Sequence, residues 1–404
     1  MISVSKTASA TLGVALCTAA MTLPSVNFAS AETAPDRTLV SMKYLNYQDS
    51  QSGDTALTSG MSRDRIAVNA LSFSVVAPVA GQWSIGASFI EDSVTGASPA
   101  YHSSGFPAPQ PKGVSGASGE LRHAGDLSLT RYFSQGSLTG GISYSQESDY
   151  ISRALSLQGS LSTEDKNSTF TLGGSFDDDA IKLSAPNVVA SKKQGADEKK
   201  QVAAVLAGVT RVLTKNDIAQ FNVGYSRGQG YYTDPYKEPD VRPRDRNNTT
   251  LLGRWNHHIE TSDGTLQLSY RYYSDTFGIR AHTFGAEYVQ PLKHGWTVTP
   301  LLRLYSQSEA DFYVATSAAE QATPSTPTPP PSTARYYSED QRLSAFGAVT
   351  LGVKVSKQLG SEWLADIKLE EYEQRDEWSL CRKGDPGVAT FRFRSIQIGL
   401  SRQF

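Results

Sequence analysis

The sequence predicts an all-β chain, a transmembrane antiparallel β-barrel of about 16 strands in a single domain after a cleaved signal peptide. Three observations predict it. Apolar and polar residues alternate at a period of two. Short turns alternate with mostly long loops. Beyond the N-terminal leader, no apolar run approaches the roughly 20 residues that a membrane-spanning helix needs.

The leader comes first. Lys6 precedes an uncharged stretch, Ala8 to Pro24, and Ala29-Ser30-Ala31 stands just before Glu32. A basic start, a short apolar core and an A-x-A site make a secretory signal peptide of residues 1–31. Cys17 follows Leu16, where a lipoprotein signal carries a small residue, so lipidation is not expected. Removing 31 of 404 residues leaves 373, of which Cys381 is the one cysteine. No intramolecular disulfide can form, so this exported chain needs another source of stability. A net charge of -2 argues against nucleic acid as a partner, which would want a basic excess. Mean hydropathy is low, as expected when only every second strand residue faces lipid.

Period-two alternation marks the strands. Trp83, Ile85, Ala87 and Phe89 alternate with Ser84, Gly86 and Ser88. Phe170, Leu172 and Phe176 oppose Thr169, Thr171 and Ser175. Leu266, Leu268, Tyr270 and Tyr272 alternate with Gln267, Ser269, Arg271 and Tyr273. A longer run, Leu343, Ala345, Gly347, Val349, Leu351, Val353 and Val355, reads as one strand with Arg342, Ser344, Thr350, Lys354 and Ser356 on its other face.

Seven short connections hold hairpin residues, at 78–81, 134–136, 165–167, 214–217, 262–264, 292–295 and 359–361. Longer ones fall at 93–118, 181–200, 229–247, 309–338 and 374–388, and 314–335 is a flexible Pro-rich outer loop. Seven turns and eight outer connections give about 16 strands with both termini on the periplasmic side. A soluble β-sandwich also alternates. Against it stand aromatics near strand ends (Trp83, Phe133, Phe170, Trp255, Trp296 and Trp363), as an interfacial girdle requires. The chain also ends on Phe404, with Leu400, Ile398 and Ile396 on one face. This looks like the C-terminal aromatic signal read by the outer-membrane assembly machinery, although Arg402 stands where an apolar residue is usual.

Several ordered segments together resemble one family, domain of unknown function 3570. They are Arg122 to Asp126, Ser145 to Tyr150, Gly230 to Lys237, Tyr270 to Asp275, Ala310 to Tyr313 and Asp340 to Gly347. The resemblance covers nearly the whole mature chain and implies an outer-membrane barrel with no established activity. It also implies a neighbourhood of cell-envelope redox chemistry, because such proteins are often encoded beside a flavin-attaching transferase and a small lipoprotein.

Alternation assigns lumen parity to Arg254, Arg271 and Arg303, each about eight residues from a turn, and to Glu287 between the last two. Lys354, Asp366, Lys368 and Glu370 continue the charge along later strands. The earlier wall offers Asp126, Ser128, Thr130, Ser143, Ser145, Glu147, Ser156, Gln158 and Ser160. These groups either line an aqueous pore and set its selectivity, or pack the interior as a salt-bridged network. In the outer loop, Asp234, Tyr236, Lys237, Arg242, Arg244 and Arg246 crowd together. They form a ligand or partner site, or a loop held by its own ion pairs or by anionic lipopolysaccharide. His257 and His258 point to opposite faces of a strand, and the remaining histidines lack ligand spacing, so no metal is expected. No nucleophile motif appears, and neither enzyme activity nor a cofactor is expected. The expectation is a porin-like channel for small hydrophilic solutes. The alternative is an envelope scaffold holding a periplasmic or surface partner, such as a redox lipoprotein. Expected contacts are outer-membrane lipid, lipopolysaccharide and the assembly machinery.

Overall fold

The computed structural model describes residues 33–52, 64–96, 120–184, 195–235, 240–315, 335–338, 340–380, 384–385 and 390–404. The signal-peptide assignment, and nearly all of the Pro-rich stretch within 314–335, lie outside them.

Sixteen strands close into one antiparallel barrel. They are β1 (Leu39–Ser52), β2 (Asp64–Val79), β3 (Trp83–Gly96), β4 (Glu120–Phe133), β5 (Gly136–Gln146), β6 (Tyr150–Ser162), β7 (Ser168–Ile181) and β8 (Glu198–Val212). The circle continues through β9 (Asp217–Gly230), β11 (Asp245–Ile259), β12 (Gly264–Asp275), β13 (Arg280–Pro291), β14 (Trp296–Gln307), β16 (Phe346–Leu359), β17 (Trp363–Arg375) and β18 (Thr390–Gln403). Two further strands, β10 (Asp240–Val241) and β15 (Tyr337–Ser338), pair with each other outside the barrel. Every barrel strand pairs with its chain neighbours, and β1 closes on β18 from Leu39↔Gln403 to Ser52↔Thr390.

The hairpins at one rim are tight for a local reason. Ala80, Lys166, Asp263 and His294 adopt positive φ there, as do Gly295 and Gly360. That left-handed geometry matches the twist of the flanking strands. At one turn Asp165 accepts from the Asn167 amide at 3.1 Å, and at another the Asn216 amide donates to Thr214 Oγ1 at 3.1 Å. Side chains thus satisfy amides the ladder cannot reach.

Closure gives each strand an outer and an inner face. Outside lie Leu155, Leu157, Leu161, Phe170, Leu172 and Leu351, with Leu172 69% exposed. Inside lie their neighbours Ser156, Ser160, Thr171 and Thr350, so the apolar surface faces lipid rather than a core. Phe133, Phe170, Trp255, Trp296 and Trp363 are exposed near the turn rim, and half-buried Trp83 shares their outward face through its partner Arg131. Arg131 lies over Trp83 at 5.4 Å, Lys357 over Trp296 at 4.9 Å and Arg402 over Trp363 at 5.0 Å. Along β4, Phe133 and His123 are ten residues apart on this face. At about 3.3 Å per residue and a tilt near 40° the separation is roughly 25 Å, the height of an outer-membrane apolar band.

One boundary differs from the sequence reading. The run beginning at Leu343 is not all strand: Gln341–Leu343 forms a 3₁₀ turn and β16 starts at Phe346. Asp340 causes this, since its carboxylate accepts from the Arg342 amide and caps the turn. Leu343 and Ala345 are both buried without being in the sheet, Leu343 against Phe277, Ile279 and Ala310.

The two faces predict opposite responses to the same charge. Leu157→Arg puts a guanidinium into hydrocarbon and should cost about 2–4 kcal/mol of folding free energy in phospholipid vesicles. Ser156→Arg, one residue away, turns inward and should cost far less. Equal losses in urea unfolding titrations of the two variants would mean the faces are misassigned.

Candidate functional site

The outer rim carries the one extensive packed region among the described residues. It begins with Asp275 at the end of β12. One oxygen of its carboxylate accepts from the amides of Phe277 and Ile279, both at 3.0 Å, and so folds the short β12–β13 connection back on itself. The other accepts from Tyr273 at 2.8 Å and from Arg246 on β11 at 2.6 Å. Phe277 is thereby tucked beneath Arg246, 4.6 Å from ring centroid to guanidinium, and packs edge-on against Tyr232 and Phe312. Ile279, Ala310 and Leu343 complete this apolar cluster. Gly278, at φ +90°, is required here, since a Cβ would collide with the Asp311 carboxylate.

Above this cluster the β9–β11 and β14–β16 loops are riveted together. Asp240 and Asp340, each 2% exposed, face buried Arg242. Arg242 donates to Asp240 at 2.9 Å and to Asp340 at 2.8 Å. Arg342 donates to Asp340 and to Asp234. Burial opposes both guanidinium charges. The carboxylates outweigh it, so both arginines are held more firmly protonated than usual. Gln307, at the end of β14, donates to the carbonyls of Arg342 at 3.0 Å and Ser344 at 2.7 Å. Tyr313 reaches Asp385 at 2.8 Å, and Ser379 donates to the Gln307 carbonyl at 3.1 Å, bringing in the β17–β18 loop. Four outer connections therefore form one cap.

Between this cap and the inner wall lies a cavity of about 330 Å³. Arg242, Gln341, Arg342 and Leu343 come from the cap; Arg246, Arg271, Tyr273, Tyr305, Gln307, Phe346 and Gln374 come from five strands. Four arginines reach this space, and no Asp or Glu is among the residues lining it. Their carboxylate partners approach from behind. Arg271 differs from the other three, since among the described residues it has neither an ion pair nor a side-chain hydrogen bond. The arrangement can hold a small anion and fix its orientation.

The predicted lumen residues fall as follows. Arg254, Arg271, Arg303, Glu287, Lys354, Asp366, Lys368 and Glu370 share the inner parity of β11 to β17, by the registers Arg254↔Ser269, Arg271↔Thr283, Arg303↔Thr350 and Glu370↔Gly352. They do not form an even belt. Arg303 lies 3.8 Å from Glu370, which also takes Lys368 at 3.0 Å. Lys354 stands opposite Lys368, and Asp366 opposite Ser356. Glu287 faces inward on β13, two strands from Arg254 on β11. Arg271 belongs to the cavity.

Of the outer-loop residues, Asp234 and Arg242 are cap ion pairs, and Arg244 grips Glu198 at 2.6 Å. Tyr236 and Lys237 lie outside the described residues. Phe404 is exposed, with its amide on the Thr38 carbonyl at 2.9 Å and Arg402 over its ring at 4.4 Å. The sequence reading did not name Arg342, Gln341, Gln307, Tyr305 or Gln374 as site residues. Gln341 and Arg342 lie in the Asp340–Gly347 segment, and Arg246 has the inner parity of Arg254, so both signals were present.

The family described as Protein of unknown function (DUF3570) matches residues 13–394. No curated protein matches the chain. Among solved structures, a siderophore receptor PirA from Pseudomonas aeruginosa is similar at 10% identity and TM-score 0.43. That match covers 85% of this chain and 57% of the receptor, so the chain spans little more than half its length. A bacterial polysaccharide outer membrane secretin aligns at 9% identity and TM-score 0.49, over 90% of this chain and 98% of the other. OccK9 (OpdG) of Pseudomonas aeruginosa aligns at 10% identity and TM-score 0.43, over 91% and 98%.

Asp340→Asn tests the cap. It removes the carboxylate shared by buried Arg242 and half-buried Arg342, a change worth about 3–5 kcal/mol where a partner stays buried. Hydrogen exchange should accelerate in residues 240–246 and 340–345, while the barrel strands stay protected. Unchanged protection in those segments would show that other contacts hold the cap.

Proposed function

We propose that this chain, which belongs to the DUF3570 family of proteins of unknown function, is an outer-membrane channel passing small hydrophilic solutes. One observation carries the reading: the contrast between the two inner walls. Sixteen strands spaced about 4.8 Å apart and tilted near 40° enclose a cylinder roughly 30 Å across between backbones. Side chains cannot fill that width unless they are large and reach from all sides. On β4 to β7 many inward residues are small, namely Ser128, Thr130, Thr139, Ser143, Ser156, Ser160 and Thr171, although Arg122, Asp126, Tyr132, Gln158, Asp177 and Asp179 share their parity. The small ones bond sideways to each other, as Thr130 does to Thr139 at 2.9 Å and Ser137 to Ser160 at 2.8 Å, rather than reaching across. A polar, low wall of this kind supports a water-filled lumen on that side.

The opposite wall supplies the field. Five cations (Arg254, Arg271, Arg303, Lys354 and Lys368) stand against three carboxylates (Glu287, Asp366 and Glu370), an excess of two positive charges. Low-dielectric walls weaken screening in such a space, so this wall favours anions over cations, against the inward carboxylates Asp126, Asp177 and Asp179 of the other. The cap over one side of the mouth and the Arg303–Glu370–Lys368 pairing favour a second reading, a non-conducting barrel that holds a periplasmic or surface partner.

Planar-bilayer recording separates the two. Folded, heat-modifiable protein should give discrete conductance steps, with a reversal potential in a salt gradient that marks anion preference. Replacing Arg254, Arg271 and Arg303 together by Gln should move that potential toward cations. Folded protein that never conducts would overturn the channel and leave the scaffold.

A further inference from the structure

The cavity beneath the cap is lined by arginines, glutamines and aromatic rings. We propose that it is a binding site for a small aromatic monocarboxylate carrying a hydrogen-bond donor remote from its carboxylate. This names a solute class for the channel and rests on that reading for its role in transport, but not for binding itself.

Charge decides the head group. Around the cavity stand four arginines, Arg242, Arg246, Arg271 and Arg342, and four aspartates, Asp234, Asp240, Asp275 and Asp340. The aspartates hold three of the arginines in place, and Arg271 is left with its fork of donors unused. One carboxylate matches that fork in two parallel hydrogen bonds. A second negative charge, as on phosphate, would find no unmatched cation and would face the aspartates behind.

The donor requirement comes from Gln341. This side chain is 9% exposed, lines the cavity from the cap, and its Oε1 is buried without a hydrogen-bond partner. A buried acceptor left unmade costs about 1–3 kcal/mol, so a turn of the Gln341 side chain that presents Oε1 to a ligand hydroxyl or N–H gains more than an ordinary contact would.

The body follows from the remaining walls. Tyr273, Tyr305 and Phe346 present rings, and Ile279, Ala281 and Leu343 present aliphatic surface. Tyr305 and Phe346 lie 5.6 Å apart, and farther round the inner wall Tyr372 stacks on Phe393 at 4.6 Å, which meets Tyr47 at 4.9 Å. Aromatic rings thus recur along the inner face from β1 to the cavity. A cavity of about 330 Å³ is at the small end of ligand sites, which admits a single ring and excludes an oligosaccharide or a siderophore.

Titration calorimetry on folded full-length protein in detergent tests this with four probes: 4-hydroxybenzoate, benzoate, phenol and inorganic phosphate. 4-Hydroxybenzoate should bind best, benzoate more weakly, and phenol and phosphate not measurably. Arg271→Gln should weaken 4-hydroxybenzoate binding roughly ten- to a hundredfold, the worth of a charged hydrogen-bonded pair. Arg271→Lys, which keeps the charge and loses the fork, should fold as wild type and weaken it several-fold. Gln341→Met should erase the advantage of 4-hydroxybenzoate over benzoate. Phosphate binding as tightly as the carboxylates, no binding by any probe, or Arg271 variants that bind as wild type would each overturn the site. Because calorimetry needs no current, a barrel that binds but does not conduct would sink the channel alone.

Discussion

Everything in this fold depends on one constraint: no backbone N–H or C=O may face hydrocarbon unpaired. Antiparallel strands meet it only when the sheet has no edges, so the decisive contact is the seam between β1 and β18, paired along its length from Leu39↔Gln403 to Ser52↔Thr390. With the seam closed, the ladder satisfies the main chain wherever lipid touches it. The side chains are then free to divide by parity alone. That is how a chain of low mean hydropathy spans a bilayer while no helix among its described residues is apolar enough to do so.

Closure also moves the packed interior to an unusual place. A soluble domain buries its apolar residues at the centre, whereas here Leu157, Leu172 and Leu351 are the exposed ones. The dense packing sits at the outer mouth, where Phe277, Ile279, Ala310 and Leu343 form an apolar base under a lattice of Asp–Arg pairs. Little water reaches the carboxylates and Arg242, so each of these guanidiniums is held by a carboxylate and each carboxylate by several donors. The same pairing fixes the arginines at the roof of the cavity. Rigidity in the loops is therefore what shapes the site, and the smooth wall of β4 to β7 is what leaves room beside it.

Parity was legible in the sequence because it is a local property. Alternation around Trp83, Phe170 and Leu266 gave the lipid face, seven turn signals gave the hairpins, and their count gave 16 strands. The inward placement of Arg254, Arg271 and Arg303 followed from the same rule. The cap was not legible, because it is made of contacts distant in sequence: Arg242 with Asp340, Tyr313 with Asp385 and Gln307 with Ser344. No period announces such pairs. Leu343 shows the cost of relying on period alone, since alternation ran on through a turn that one aspartate capped. The described residues of the segments that carried the family resemblance, 230–235, Tyr270 to Asp275, Ala310 to Tyr313 and Asp340 to Gly347, supply much of the cap. Their joint appearance in the sequence was a signal of common location that residue-by-residue parity could not use.

The central claim is that a single inner face, continuous along each strand, borders water. Cysteine scanning of β16 tests it most directly. In protein lacking its native cysteines, single cysteines at positions 349 to 356 are treated in intact membranes with a bulky, membrane-impermeant thiol reagent. The account predicts labelling at 350, 352, 354 and 356 and none at 349, 351, 353 and 355. Labelling with no two-residue period, or none at any inward position, would contradict it.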